Sequence, residues 1–266
     1  MGGLAVGPLV FSADRAPVVA ALIVFLIAAA LLGRGRGGRV GDWAVLASFG
    51  ALIGARLGFV ATNLPVFMDH PASVFAIWQG GFSPVGGLIG FALATLWHFR
   101  QQRQGAVQAG IAALLALVAW NVVAELSAPA LEAMPENLQL ARMDGTSVDA
   151  STWQGQPMVL NLWASWCPPC RREMPMMVDV AKAESDVAIH FVNQGEGPEA
   201  IRKFLAQAGL VMDPVLDNGQ QMMRHFDAMG LPATLFITAD GRVQRTHMGE
   251  ISRAGLLAGI AEIRAN

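Results

Sequence analysis

Polar and apolar positions divide this chain of 266 residues into two regimes. Residues 17–32, PVVAALIVFLIAAALL, form an uninterrupted apolar run close to the roughly 20 residues that cross a bilayer as a helix. Comparable stretches follow at 43–62, 84–98 and 107–125, joined by short polar connections, and the pattern predicts four transmembrane helices. The first residues lack a basic n-region and no small-residue cleavage site follows the first run, so this helix reads as retained rather than removed. From SAPALEAMPENL onward the composition shifts, with Pro129 and Pro135 marking a linker. Beyond it, MVLNLW and VAIHFVN read as strands and 198–208 and 219–227 as helices. ATLFITAD and RVQRTHM read as strands about an Asp240-Gly241 hairpin turn, and 251–264 as a last helix. The expected fold is a multi-pass α-helical membrane domain at 1–128 followed by an α/β domain at 129–266.

Composition supports this division. With 54% hydrophobic and 14% charged residues, the chain is too apolar to be wholly soluble. A net charge of -2 leaves no basic excess for nucleic acid, which is not expected as a partner. Location of charge says more. Arg34, Arg36 and Arg39 fall in the first connection and Arg100 and Arg103 in the third, whereas Asn63 to Ser83 holds no Lys or Arg. Positive loops stay cytoplasmic, so both termini and everything after Leu126 are expected on the periplasmic side of a bacterial inner membrane. That compartment permits disulfide chemistry. The GRGRGG run has no strand before it and no lysine after it, and reads as a basic loop rather than a phosphate loop.

The stretch WASWCPPCRREMP, Trp163 to Pro175, contains both cysteines of the chain, Cys167 and Cys170. The C-x-x-C count alone allows a redox pair, half a zinc site or a structural disulfide. An apolar strand that delivers the pair to the start of a helix favours the redox pair. Backbone N–H groups and the helix dipole stabilise a thiolate at Cys167, the expected nucleophile. Cys170, one turn on, is the expected resolving thiol. Arg171 and Arg172 either lower the thiol pKa further or form a solvated face. Met174, Met176, Met177, Met222 and Met223 are read as core or peptide-binding surface rather than copper ligands. His190, His225 and His247 lack ligand spacing, so no metal site and no cofactor are expected.

The motif resembles that of the thioredoxin superfamily, and within it the TlpA and ResA-like membrane-tethered reductases, through Trp163, Trp166, Cys167, Pro168, Pro169, Cys170, Glu173 and Pro175. The resemblance runs over roughly 130–266 and includes GLPATLFI, where Pro232 matches the family's cis-proline. It implies a thioredoxin-like fold, Cys167 and Cys170 as the dithiol, and Trp166, Pro168, Pro169, Leu231 and Pro232 around the substrate strand. The buried aspartate of thioredoxins is Asn161 here, which makes Glu173 the substitute proton acceptor, or else a glutamate that only stabilises its helix. Where apocytochrome c reductants often carry an acidic residue after the cis-proline, this chain has Ala233. The resemblance implies periplasmic protein disulfides as substrates and a membrane electron donor of the DsbD or CcdA kind. A thiol oxidase or isomerase is the redox alternative.

Residues 15–125 resemble the N-terminal half of prolipoprotein diacylglyceryl transferase through Gly-Ala-Arg-Leu-Gly and Gly-Gly-Leu-Ile-Gly segments. The family's Ser-Phe-His-Gly-Gly is Ser83-Pro84-Val85-Gly86-Gly87, so its histidine is Val85, and its later arginine-bearing signature is absent. Transferase activity is expected to be lost, leaving an anchor in the phospholipid bilayer. The alternative is a lipoprotein- or lipid-handling module with an accessory redox domain. Arg56, about 9 Å from the outer end of its helix at 1.5 Å per residue, either binds a lipid headgroup or partner, or snorkels to the interface.

Overall fold

The computed structural model describes residues 4–6, 9–11, 16–34, 39–69, 71–101, 104–127, 133–135 and 137–265. Arg36, Arg103 and Pro129, which carried part of the orientation and linker readings, lie outside the described residues. The chain forms two compact units. One comprises residues 2–77 and 81–128, and the other residues 129–266 with residues 1 and 78–80.

The N-terminal unit begins with a short antiparallel pair, β1 (Leu4–Val6) and β2 (Leu9–Phe11). Helices α1 (Ala16–Leu32), α2 (Arg39–Thr62), α3 (Leu64–Asp69), α4 (Pro84–Gln101) and α5 (Ala106–Leu126) follow. All four predicted apolar helices are present. Among the described residues, α2 and α5, with 24 and 21 residues, are long and apolar enough to cross a membrane. The 17 residues of α1 rise only ~26 Å against a hydrocarbon core of ~30 Å, and the last four residues of α4 include polar His98, Arg100 and Gln101.

Backbone proximity holds α2 to α4. Gly50 and Gly54 of α2 face Gly86 and Gly90 of α4, so closely that a Cβ on Gly90 would stand 2.0 Å from the Gly50 carbonyl oxygen. A Cβ on Gly54 would stand 2.4 Å from the oxygen of Gly86. Small residues at i and i+4 on both helices permit this approach. Phe25, Trp43 and Phe91 pack beside it with ring centroids 5.2–5.9 Å apart, and the Trp43 indole donates to Thr95 Oγ1 at 3.1 Å. Because backbone atoms fill the space, Gly90→Leu is expected to destabilise this unit by about 3 kcal/mol. Gly110→Leu on α5, where nothing lies within 4 Å, is expected to be silent. Unfolding of both variants in detergent by titrated denaturant checks the contrast.

The C-terminal unit is a seven-stranded mixed sheet with helices packed on it. Its elements are β3 (Gln139–Ala141), β4 (Ser147–Asp149), β5 (Met158–Trp163), α6 (Pro168–Ala183), β6 (Ala188–Gln194), α7 (Pro198–Ala208), β7 (Val215–Asp217), α8 (Gln221–His225), β8 (Ala233–Ile237), β9 (Val243–Met248) and α9 (Arg253–Arg264). Strand order is β4-β3-β7-β6-β5-β8-β9, with β5, β6 and β7 parallel and β8 antiparallel to β5. All six residues of β5 are buried, as an unbroken apolar run requires of a strand covered on both faces. Val159 and Trp163 enter one core layer with Met174, Met177 and Ile260. Met158, Leu160 and Leu162 enter the other with Phe226 and Leu235. Gly241, at φ +81°, donates its N–H to Thr238 O at 2.9 Å and closes the predicted turn between β8 and β9. The helix predicted at 219–227 is confined to Gln221–His225, its first N–H groups taken by the buried Asp217 carboxylate at 2.9 and 2.8 Å.

Candidate active site

Sheet register assembles the site at one end of β5. The strand ends at Trp163, and residues 164–166 lead into α6, whose N-cap is Cys167. Leu162 pairs with Ala233 at the start of β8, so the segment just before Ala233 lies at that same end. This segment contains the cis Leu231–Pro232 peptide, tied by Gly249 N–H donating to Pro232 O at 2.8 Å.

Cys167 and Cys170 form a disulfide. Cys167 is 3% exposed and Cys170 is fully buried, whereas Trp166 between strand and helix is 65% exposed. Pro168 starts the helix, where its missing N–H costs nothing. Cys170 N–H donates to Cys167 Sγ at 3.3 Å, so the first sulfur already occupies the position of a helix cap. A thiolate there meets the positive end of α6. Arg171 lies over the Phe204 ring at 5.6 Å. Arg172 pairs with Glu250, Nη2 to Oε2 at 2.6 Å.

Glu173 follows Cys170 by three residues and is 2% exposed. Its Oε1 accepts from Asn161 Nδ2 at 3.0 Å and its Oε2 from Ile251 N–H at 2.9 Å. Asn161, fully buried on β5, also donates to Thr234 Oγ1 at 3.3 Å. Burial pushes the Glu173 carboxyl up to about 7, against the lowering effect of those two hydrogen bonds. A carboxyl at about 7 can give or take a proton near neutral pH. Between pH ~4.5 and ~7 the unfolded chain releases this proton while the folded chain keeps it, so stability falls as pH rises through that window. The expected loss is about 3 kcal/mol, and Glu173→Gln should remove that component. Urea unfolding of the full chain in detergent at pH 4.5 and 7.5 measures it; identical slopes in the two proteins contradict the assignment.

The remaining flagged residues disperse. Met174, Met177 and Met222 are core residues, with Met176 and Met223 partly buried against them. His190 stacks on Trp153 with ring centroids 4.1 Å apart, and burial pushes its pKa down to about 4. His225 Nε2 meets Ala133 O at 2.9 Å and His247 Nε2 meets Glu250 O at 3.2 Å.

In the N-terminal unit, Arg56 is 7% exposed. Its Nε, Nη1 and Nη2 donate to the carbonyls of Val74, Gly81 and Ser73 at 2.9, 3.0 and 2.7 Å. The rings of Phe59, Phe67 and Phe82 surround it at 5.6–6.0 Å. The guanidinium therefore fastens the connection between α3 and α4 to α2, a set of partners that only the fold brings within reach. Val85 is 66% exposed on the first turn of α4.

Residues 125–259 match the family model for Redoxin. The chain belongs to the redoxin family. The redoxin region is 31% identical over 120 residues to the thiol-disulfide oxidoreductase ResA of Bacillus subtilis strain 168, covering 44% of this chain and 67% of the relative. The chain is 29% identical over 160 residues to ResA of Geobacillus kaustophilus, covering 58% of this chain and 92% of that relative. A putative thiol:disulfide interchange protein DsbE from Chlorobium tepidum superposes with a TM-score of 0.46 at 26% identity, covering 50% of this chain and 96% of the other. The redoxin region is thus that of a thiol-disulfide oxidoreductase, an enzyme class that acts on protein disulfides. Residues 16–124 match the family model for prolipoprotein diacylglyceryl transferase, and with α2 and α5 this supports membrane association of the N-terminal unit.

Sequence reasoning missed three parts of the redoxin site: Thr234 beside Asn161, the Ile251 N–H on Glu173, and Glu196, which accepts from Ser165 of the active-site loop. Only Glu196 left a local trace, in the Gly-Glu-Gly run that follows β6.

Proposed function

We propose that this protein is a membrane-anchored disulfide reductase of the periplasmic space, working through Cys167 and Cys170. The observation that carries the reading is Cys167 Sγ at the N-cap of α6, accepting the N–H of Cys170. In the reduced state the Cys167 thiolate attacks a client disulfide, forming a mixed disulfide and releasing one client thiolate. Glu173 takes the Cys170 proton, and the Cys170 thiolate then attacks Cys167 Sγ, closing the disulfide and releasing the second client sulfur. Two electrons pass to the client.

Trp166, Pro168, Pro169, Leu231 and Pro232 frame the groove for the client strand. The direction of electron flow is supported by Pro168-Pro169, which lacks the histidine of strongly oxidising relatives, and by the resemblance to the membrane-tethered reductases. Residues 1–128 act as the anchor, with four spans and residues 129–266 outside. A DsbD- or CcdA-like protein refills the dithiol.

Two assays on one preparation test the reading. The full chain, reduced and freed of reductant, is expected to reduce one protein disulfide per molecule. It is expected to move no diacylglyceryl group from phosphatidylglycerol to a lipoprotein peptide, because Val85 offers no base. Transferase turnover without disulfide reduction contradicts the proposal.

A further inference from the structure

The turn that presents Cys167 is fastened by a carboxylate outside the cysteine motif. Cys167 N–H donates to Ala164 O at 3.2 Å, which makes Ser165 a corner of the turn. Both polar hydrogens of that corner go to Glu196: Ser165 N–H to Oε2 at 2.6 Å and Ser165 Oγ to Oε1 at 2.5 Å. Glu196 is itself held by fully buried Asn193, whose Nδ2 donates to Oε2 at 2.8 Å and whose Oδ1 accepts the Glu196 N–H at 3.3 Å. Asn193 pairs with Trp163 in the sheet register, so the ends of β6 and β5 set the two loops side by side. Gly195, at φ +78°, gives the turn that brings Glu196 back over Ser165.

We propose that Glu196 is a positioning residue for the redox reaction: its carboxylate pins the turn that presents Cys167 and keeps the sulfur at the N-terminus of α6 once the disulfide is open. The inference rests on Cys167 being the attacking thiol. In the oxidised state the bond to Cys170 holds the sulfur covalently. In the dithiol that tie is gone, and the Ala164–Cys167 turn with its Glu196 anchor does the holding. Loss of the anchor therefore falls on the reduced state, where a displaced thiolate loses the Cys170 N–H and the helix end.

The test uses the reduced full chain in detergent, following the pH dependence of Cys167 alkylation by peptide mass spectrometry together with the rate of exchange with a protein disulfide. Glu196→Ala is expected to raise the Cys167 pKa by about one unit, toward the roughly 8.5 of a free cysteine. Exchange at pH 7 should then slow by up to about threefold, since a thiolate fraction up to about eightfold smaller is offset in part by greater nucleophilicity. Glu196→Gln, whose amide can accept from Ser165 N–H and donate to Ser165 Oγ, should restore both values. Ser165→Ala, which keeps the N–H bond, should give a smaller shift in the same direction, and with Glu196→Gln it decides the matter if the alanine variant fails to fold. An unchanged pKa in Glu196→Ala overturns the inference. So does a Glu196→Gln variant as impaired as alanine, which would make charge rather than position the cause. A wild-type chain with no exchange at all would refute the reductase reading instead, whatever the variants do.

Discussion

Cys170→Ser is expected to accumulate as a covalent mixed disulfide with periplasmic clients, joined through Cys167. The physical basis is the different placement of the two sulfurs. Cys167 caps α6 beside exposed Trp166 and retains 3% exposure. Cys170 is fully buried one turn along, placed to attack Cys167 but not to meet a client. Removing Cys170 leaves attack intact and blocks resolution, so the adduct should approach one per chain while turnover stops. Cys167→Ser should give neither adduct nor turnover. Mass spectrometry of the trapped species checks both and identifies the client. Adducts that form through Cys170 in the Cys167→Ser protein would reverse the assigned roles.

The legibility of the fold in the sequence followed the length of its elements. MVLNLW announced a buried strand because six consecutive positions lie between two core layers, and the four apolar helices were plain because each is a predominantly apolar run of 15 residues or more. The strands β3, β4 and β7 have three residues each, too few for an alternation to register. The cysteines declared themselves by spacing, but their surroundings did not. Glu173 is satisfied by an N–H 78 residues away and Ser165 by a carboxylate 31 residues away, and such pairings exist only once the sheet has brought β5, β6 and the start of α9 together. Arg56 shows the same limit. Its place in an apolar helix marked it as unusual, while its carbonyl partners come from a connection whose path the hydrophobic pattern does not describe.

The second large effect concerns where the electrons come from. The chain has two cysteines, both in the redoxin region, and thiol exchange moves electrons only between sulfur atoms in contact. The membrane region therefore has no thiol with which to refill the site, and under the proposed reading a separate membrane protein of the DsbD or CcdA kind does so. Without that protein, each round of client reduction leaves the Cys167–Cys170 disulfide closed with no route back. The direct measurement is the redox state of this dithiol in living cells, read by alkylation gel shift after acid quenching, with and without the transporter. The account predicts mostly reduced protein in the wild-type cells and oxidised protein in the cells lacking the transporter. A dithiol found oxidised in both would contradict it and make the protein an oxidase; one found reduced in both would contradict the proposed electron source.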